Sequence, residues 1–445
     1  MSNQYDYDVI YLGGGVGAVN GAVPLGKHGY KAAIIESTAI GGTCPNFGCT
    51  PKFTLDVPAE LAYRTSQFQT IYGGNKLKVD WYEDMQRKHR NIDADPAGGM
   101  KKRLKAAGVD VIHGYGKLVD NHTLAVNGKH LTTDKIVIAT GLTPNHIDVP
   151  GTELTHDSTH FLSIDHLPKR LTVIGSGYVA IELATIANEA GADVTILMHR
   201  DRVLRGFDSF LVDKLVNSLK QRGMHFVPNS DIKAIETHND ELVVKYQDQK
   251  LATDYILDAS GRNPVVHNIG LEEVGVEYDE HGIKVNDHLQ TSVDNIYADG
   301  DVINLGKPEL SPVATFESKY LTKQFIGETT AAIEFPPMPT NVFASPRLAS
   351  VGVNPEAVEQ DANYRVQRSV LSGEMYYKAS GQTVAARTLV FDKDDFLVGA
   401  SELSDQAEDA IEILNMVISW HISRKQIQGL INIFPSLGSN ILTSF

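Results

Sequence analysis

Cysteine is scarce, with two in 445 residues, Cys44 and Cys49. A secreted disulfide scaffold would carry more of them, spread along the chain, so that class is excluded. Nor is there an apolar run of the roughly 18 residues that a bilayer span needs. Positive charge is not in excess either: the formal net charge is −15. An acidic chain is a poor match for a phosphate backbone or an anionic lipid surface, so neither nucleic acid nor membrane is expected as a partner. The opening MSNQYDYDVIYLGGG lacks the basic, apolar and small-residue parts of a secretory signal, which leads us to expect a cytoplasmic protein. Short-period repeats and low-complexity segments are also missing.

The length itself suggests about three domains at roughly 150 residues each. Two segments organise them. Tyr7 to Glu36 reads as strand, glycine turn, helix and strand (DVIYLGGG to KAAIIE), and Arg170 to Arg205 repeats the pattern (LTVIG, GSGYVAIE, ADVTILM). Each is a βαβ unit with a dinucleotide fingerprint. In the first, Gly13 allows a tight turn, Gly15 lets backbone approach a pyrophosphate at the helix N-terminus, and Ala18 lets helix and strand pack closely. Glu36 ends the following strand, where a carboxylate accepts from ribose hydroxyls. In the second, Gly175 and Gly177 repeat the turn, but Met198 stands where an NAD site would place an acid, and His199, Arg200 and Arg205 follow. Cations and a missing carboxylate suit the 2′-phosphate of NADPH.

The third signal is GGTCPNFGCTPK, Gly41 to Lys52. Its spacing can bring two thiols together at a bent helix start. A helix N-terminus and a nearby cation favour the reactive thiolate. Half a zinc site is the other reading, but no Cys or His pair with ligand spacing lies nearby, so no metal site is expected.

With these motifs in order, the chain resembles the class I pyridine nucleotide-disulfide oxidoreductases, the family of glutathione reductase, dihydrolipoamide dehydrogenase and mercuric reductase. GGTCPNFGCTPK is similar to their active-site signature. ATGLTP (Ala139–Pro144), YADGDV (Tyr297–Val302) and SPVATFES (Ser311–Ser318) are similar to their flavin motifs, and the tail after Pro336, Pro337 and Pro339 to their dimerisation domain. The resemblance implies an α/β fold: two Rossmann-like three-layer dinucleotide-binding domains plus a C-terminal α+β dimerisation domain. The expected division is an FAD-binding domain at 1–150, an NADPH-binding domain at 151–270, a central domain at 271–335 that completes the FAD site, and a dimerisation domain at 336–445. It implies FAD and NADPH as cofactors, a homodimer, and a small-molecule electron acceptor. Cys49 would lie against the isoalloxazine in a charge-transfer complex, and Cys44 would attack the substrate. Lys52 and Glu182 would form an ion pair beside flavin N5, and Tyr178 would cover the nicotinamide side of the flavin. Gly42, Thr43, Thr140, Gly141, Asp301 and Ala314 join Gly13, Gly15, Ala18 and Glu36 as FAD residues, and Gly261 joins the nucleotide-binding set.

The resemblance breaks at the C-terminus. Where the family's disulfide reductases carry a His-Pro-Thr segment and then a Glu, this chain has Phe434-Pro435-Ser436 and Ser439. That His, supplied by the partner subunit, is the general acid/base of thiol exchange, and a phenyl ring carries no proton. Losing a positioned base costs on the order of a hundred- to ten-thousand-fold. Val23 and Lys319 stand where glutathione reductases grip glutathione with arginines, and no cysteine follows Cys49 to serve as a mercuric reductase's distal pair. His421 reads as a surface or packing residue. The cysteine motif favours a reductase of a small disulfide other than glutathione, and a reductase of metal ions, quinones or oxygen is the alternative. A redox-sensing flavoprotein is the third.

Overall fold

The computed structural model describes residues 4–74, 77–94, 97, 99–239 and 241–445. It forms two compact units, each assembled from three stretches of chain. One comprises residues 1–53, 86–145 and 262–334, the other residues 54–85, 146–261 and 335–445. Neither is continuous in sequence, because the chain changes unit inside the helices Cys49–Ser66 and Trp81–Lys88.

The first unit is built on a parallel sheet in the order Asp110–His113, Ala32–Glu36, Tyr7–Leu12, Lys129–Ile138 and Ile296–Ala298. Both faces are covered, so its strands read as unbroken apolar runs rather than as alternating ones. Val9 and Tyr11 pack under the helix Val16–Lys27, while Ile10 and Leu12 point into a core with Leu118, Leu124 and Ile296. The second unit repeats this on a smaller scale, with four parallel strands in the order His225–Val227, Asp193–Leu197, Arg170–Ile174 and Tyr255–Asp258. Its C-terminal part is a five-stranded antiparallel sheet, Thr340–Val342, Arg347–Gly352, Leu397–Ser404, Ala386–Asp392 and Tyr364–Val370. The helix Ala407–Ser419 lays Ala407, Ala410, Ile411, Leu414 and Val417 on that sheet, one face at helical spacing. The fold is therefore α/β with two Rossmann-like nucleotide domains and an α+β tail. Among the described residues no helix is long and apolar enough to cross a membrane.

Candidate functional site

The two glycine loops have the same geometry. Gly13 and Gly175 take positive φ, +106° and +133°. A Cβ at either would sit 2.3 or 2.2 Å from a backbone carbonyl, that of Ala139 or Ala259, so only glycine fits. Gly15 and Gly177 cap the helices Val16–Lys27 and Tyr178–Glu189 in extended conformation, and no atom lies within 4 Å of where their Cβ would be. That open backbone at a helix N-terminus is the cradle a pyrophosphate requires. Ala18 and Ala180, the third positions, are fully buried.

Glu36 is buried at the strand end and is already engaged. Its Oε2 accepts from the Gly14 N–H at 2.6 Å, and Oε1 accepts from the N–H and hydroxyl of Thr38 at 2.6 and 2.7 Å. A carboxylate has about four acceptor positions, so one remains for a ribose hydroxyl. In the second loop Met198 is buried and His199, Arg200 and Arg205 are exposed. Arg205 reaches Asp201 at 3.2 Å, a surface pair of small energetic weight. The neighbouring Arg202 is committed elsewhere. It donates twice to Glu356, and this pairing pulls the Glu356 carboxyl down to about 2.

Backbone hydrogen bonding joins the cysteine motif to the first glycine loop. The Gly41 N–H donates to the Gly14 carbonyl at 2.7 Å, Gly15 and Gly41 form a parallel bridge, and a Cβ on Gly42 would lie 2.9 Å from the Gly15 Cα. Cys44 and the exposed Thr43 lie in a short helix, Thr43–Phe47, that stops at Gly48; Cys49 opens the next, Cys49–Ser66. Both cysteines are thiols, Cys44 half-buried and Cys49 exposed. Cys44 hydrogen-bonds to Cys49, and that bond, then burial, then the charge of Cys49, push its pKa far up. The Ser311 hydroxyl also bonds to Cys44 and pulls the other way. Ser311 was not among the residues expected from sequence. The signal was there, in a hydroxyl that opens the SPVATFES helix, but only folding brings it to the thiol.

Lys52 is buried one turn into the Cys49 helix. Glu182 is buried in its own unit, where its Oε1 accepts from the Phe343 N–H at 2.9 Å. Tyr178 is the exposed first residue of its helix, and Gly261 is exposed with open space around it. Thr140 spends its hydroxyl on the Val265 carbonyl at 2.7 Å, which leaves its backbone and the open Gly141 to face a ligand. Burial raises the pKa of Asp301, and a Cβ on Gly300 would lie 3.4 Å from that of Ala314. The open cradle at Gly15, the spare acceptor on Glu36 and the half-buried Asp301 all fit FAD. No group of three His, Cys, Asp or Glu side chains among the described residues is arranged to hold a metal.

Asp299, inside YADGDV, has another environment. It is fully buried, neither carboxylate oxygen has a hydrogen-bond partner, and Oδ1 lies 3.2 Å from where a Gly17 Cβ would be. Burial, then Glu317 and Asp301, raise its pKa well above the ordinary carboxyl value. An acid raised on folding destabilises the fold as pH rises from its unfolded value near 3.8. Asp299→Val is therefore expected to stabilise the protein by about 1–2 kcal/mol at neutral pH. The gain should grow between pH 5 and pH 8 in urea titrations, and a loss of stability at pH 8 would show that the carboxyl is a satisfied group.

The C-terminal positions are unlike a base. Phe434 is 76% exposed and follows the still more exposed Ile431 and Ile433. Ser439 is buried and closes a capping box with Ser436 at the start of the helix Leu437–Leu442. His421 stacks on Phe396 with ring centroids 3.7 Å apart. Val23 lies on the first glycine helix with its side chain buried in the core.

A family model described as pyridine nucleotide-disulphide oxidoreductase matches residues 7–318, and the dimerisation-domain model of the same family matches residues 338–444. The chain is 28% identical to a glutathione reductase of Yarrowia lipolytica, with 100% of both chains covered. It is 29% identical to a mercuric reductase of Staphylococcus aureus, covering 94% of this chain and 78% of that one. Among solved structures it resembles the HOCl-induced flavoprotein disulfide reductase RclA from Escherichia coli, with a TM-score of 0.88 and 27% identity over 98% of each chain. A Cu(II) complex of RclA matches with the same TM-score, 26% identity and 98% coverage of each chain.

Proposed function

Because this chain belongs to the pyridine nucleotide-disulphide oxidoreductase family, we propose that it is an NADPH-dependent reductase whose cysteine pair delivers electrons to an acceptor that needs no proton from the protein. Members of the family bind FAD and take electrons from NAD(P)H, so the chain is a FAD-dependent oxidoreductase, and its tail is the family's dimerisation domain. FAD, when bound, carries electrons from the nicotinamide to the cysteine pair. In this proposal the chain's residues do the rest. The Gly13–Ala18 loop, Glu36, Gly42, Thr43, Thr140, Gly141, Asp301 and Ala314 hold the flavin nucleotide. Gly175, Gly177 and Gly261 hold NADPH, with His199, Arg200 and Arg205 at its 2′-phosphate. Cys49 offers its exposed face to the flavin ring, Cys44 faces the acceptor, and Lys52 and Glu182 supply buried charge near the flavin. Tyr178 gates the nicotinamide.

The observation that carries this reading is the fate of the two base positions: a phenyl ring at Phe434, exposed on the single chain, and a hydroxyl at Ser439 used as a helix cap. Reducing a disulfide consumes a proton to release the second thiol, as in NADPH + H⁺ + RSSR → NADP⁺ + 2 RSH. Reducing a metal ion consumes none, as in NADPH + 2 Cu(II) → NADP⁺ + H⁺ + 2 Cu(I). The copper complex of RclA supports a thiophilic metal ion as that acceptor. The hydrogen-bonded Cys44–Cys49 pair favours a second reading, a small disulfide other than glutathione.

The test is anaerobic oxidation of NADPH and, in parallel, NADH by the FAD-loaded protein with Cu(II), Hg(II), a quinone or small disulfides. The expected result is NADPH oxidation with Cu(II) at two ions per NADPH and at least about tenfold slower turnover with every disulfide. Disulfide turnover as fast as metal turnover would replace this reading with the second, and equal use of NADH would remove the coenzyme assignment.

A further inference from the structure

A cavity of about 260 Å³ lies in the C-terminal module, away from the cysteines' motif in sequence. It opens between the strands Tyr364–Val370 and Ala386–Asp392 and the helix Leu437–Leu442. At roughly 30 Å³ per water it has room for about eight or nine of them, enough for a small organic molecule.

Its walls carry donors at one end and an acceptor at the other. Strand alternation puts Gln367 and Ser369 on one face, and the register pairs Ser369 with Arg387. Arg387 is almost wholly buried. Its Nε–H donates to Glu402 at 2.7 Å, Nη1 to Ser444 at 2.7 Å, and Nη2 to Tyr377 at 2.9 Å and Asn440 at 3.4 Å. A guanidinium has five N–H groups. Four are placed, and the fifth is on Nη1, beside Ser444. Gln367 accepts from Arg365 through Oε1, which leaves its amide hydrogens to donate. At the other end, Glu374 is exposed and accepts from Asn440 Nδ2 at 2.6 Å through one oxygen. Asn440 touches Arg387 with its oxygen and Glu374 with its nitrogen, so the two charges are one amide apart.

The charge balance narrows the ligand. Glu402 already neutralises Arg387, and Glu374 adds a further negative charge, so a simple anion gains little here. A molecule with both signs gains at both ends. We propose that this cavity binds a free α-amino acid, its carboxylate on Arg387, Ser369 and Gln367 and its ammonium on Glu374. The helix Leu437–Leu442 begins just after Phe434, so an amino acid held between it and the sheet fastens the base of that exposed segment.

The experiment is calorimetric binding of each of the twenty proteinogenic amino acids to the FAD-loaded full-length protein. The N-acetyl and methyl-ester forms of the tightest binder and inorganic phosphate complete the set. At least one amino acid should bind, and blocking either charge should weaken it about tenfold or more, the worth of one charge-assisted hydrogen bond. Ser369→Ala and Glu374→Gln should each cost about tenfold in affinity at unchanged flavin content. Arg387 is left intact because its loss would strand Glu402. No binding by any amino acid, blocked forms that bind as well as the parent, phosphate binding in its place, or both variants binding like the wild type would each overturn the proposal. Because binding is read directly, none of these outcomes depends on the acceptor of the redox reaction.

Discussion

A Cys44→Ser variant is expected to lose at least about 10³-fold of any disulfide or metal turnover while NADPH still bleaches its flavin at the wild-type rate. The reason lies in the geometry of the pair. Cys44 is half-buried, and its thiol is tied to Cys49 and Ser311. A serine there keeps the hydrogen bonds and the volume but can form neither a disulfide nor a thiolate bond to a soft metal ion. Only the second half of the reaction is lost, since the nucleotide loops do not include this side chain. Stopped-flow flavin reduction and steady-state NADPH oxidation on the same preparation separate the two halves. Retained turnover with Cu(II) would mean that electrons leave without passing through the pair, and retained turnover with a quinone alone would mark the quinone as a direct flavin oxidant.

The largest expected effect on stability is at Arg347. Its guanidinium is almost wholly buried and grips Asp56 with two hydrogen bonds, Nη1 to Oδ1 at 2.8 Å and Nη2 to Oδ2 at 2.6 Å, with Glu60 at 3.0 Å. Asp56 and Glu60 lie on the helix that Cys49 opens. Arg347→Met leaves the Asp56 carboxylate buried without a counter-charge, which typically costs about 3–5 kcal/mol. Removing both charges with Arg347→Met and Asp56→Leu should bring stability back to within about 1–2 kcal/mol of the wild type, because the pair's own net worth is small. Urea denaturation of the four proteins in this cycle decides it. A near-neutral single variant would show that water reaches Asp56. Burial raises the carboxyl of the nearby Asp405 to about 6 and that of Glu408 to about 7, so this region should lose stability as pH rises from about 4 to 7 and change little above.

Much of the nucleotide architecture was legible because it is written in residues that admit one use. A glycine at positive φ against a carbonyl, a small residue under a helix and an acid at a strand end all sit at fixed spacing, and Gly13, Ala18, Glu36 and Gly175 could be read directly. The cysteine motif was legible for the same reason. What joins it to the first loop was not, because the Gly41-to-Gly14 hydrogen bond is between backbone atoms and leaves no mark in residue type. Asp299 could not be told from Asp301 in YADGDV, since only burial separates them, one fully enclosed with no partner for its carboxylate and the other half-buried. Ser439 was read as a missing glutamate. The structure adds that its hydroxyl has a job of its own in the capping box. Arg347 gave no signal at all, because its partners lie almost three hundred positions away in sequence.

Gly48 separates the two cysteine-bearing helices. On one unbroken helix, residues five apart would point roughly 140° away from each other at 100° per residue, and their sulfurs could never meet. With the break, closing and opening a bond between the sulfurs is a matter for one peptide, and the eighteen residues from Cys49 to Ser66 need not turn with it. A protein meant to broadcast its oxidation state would want the opposite arrangement, a covalent change geared to a long lever. Here the break falls at Gly48, between the two sulfurs, an arrangement that suits repeated turnover.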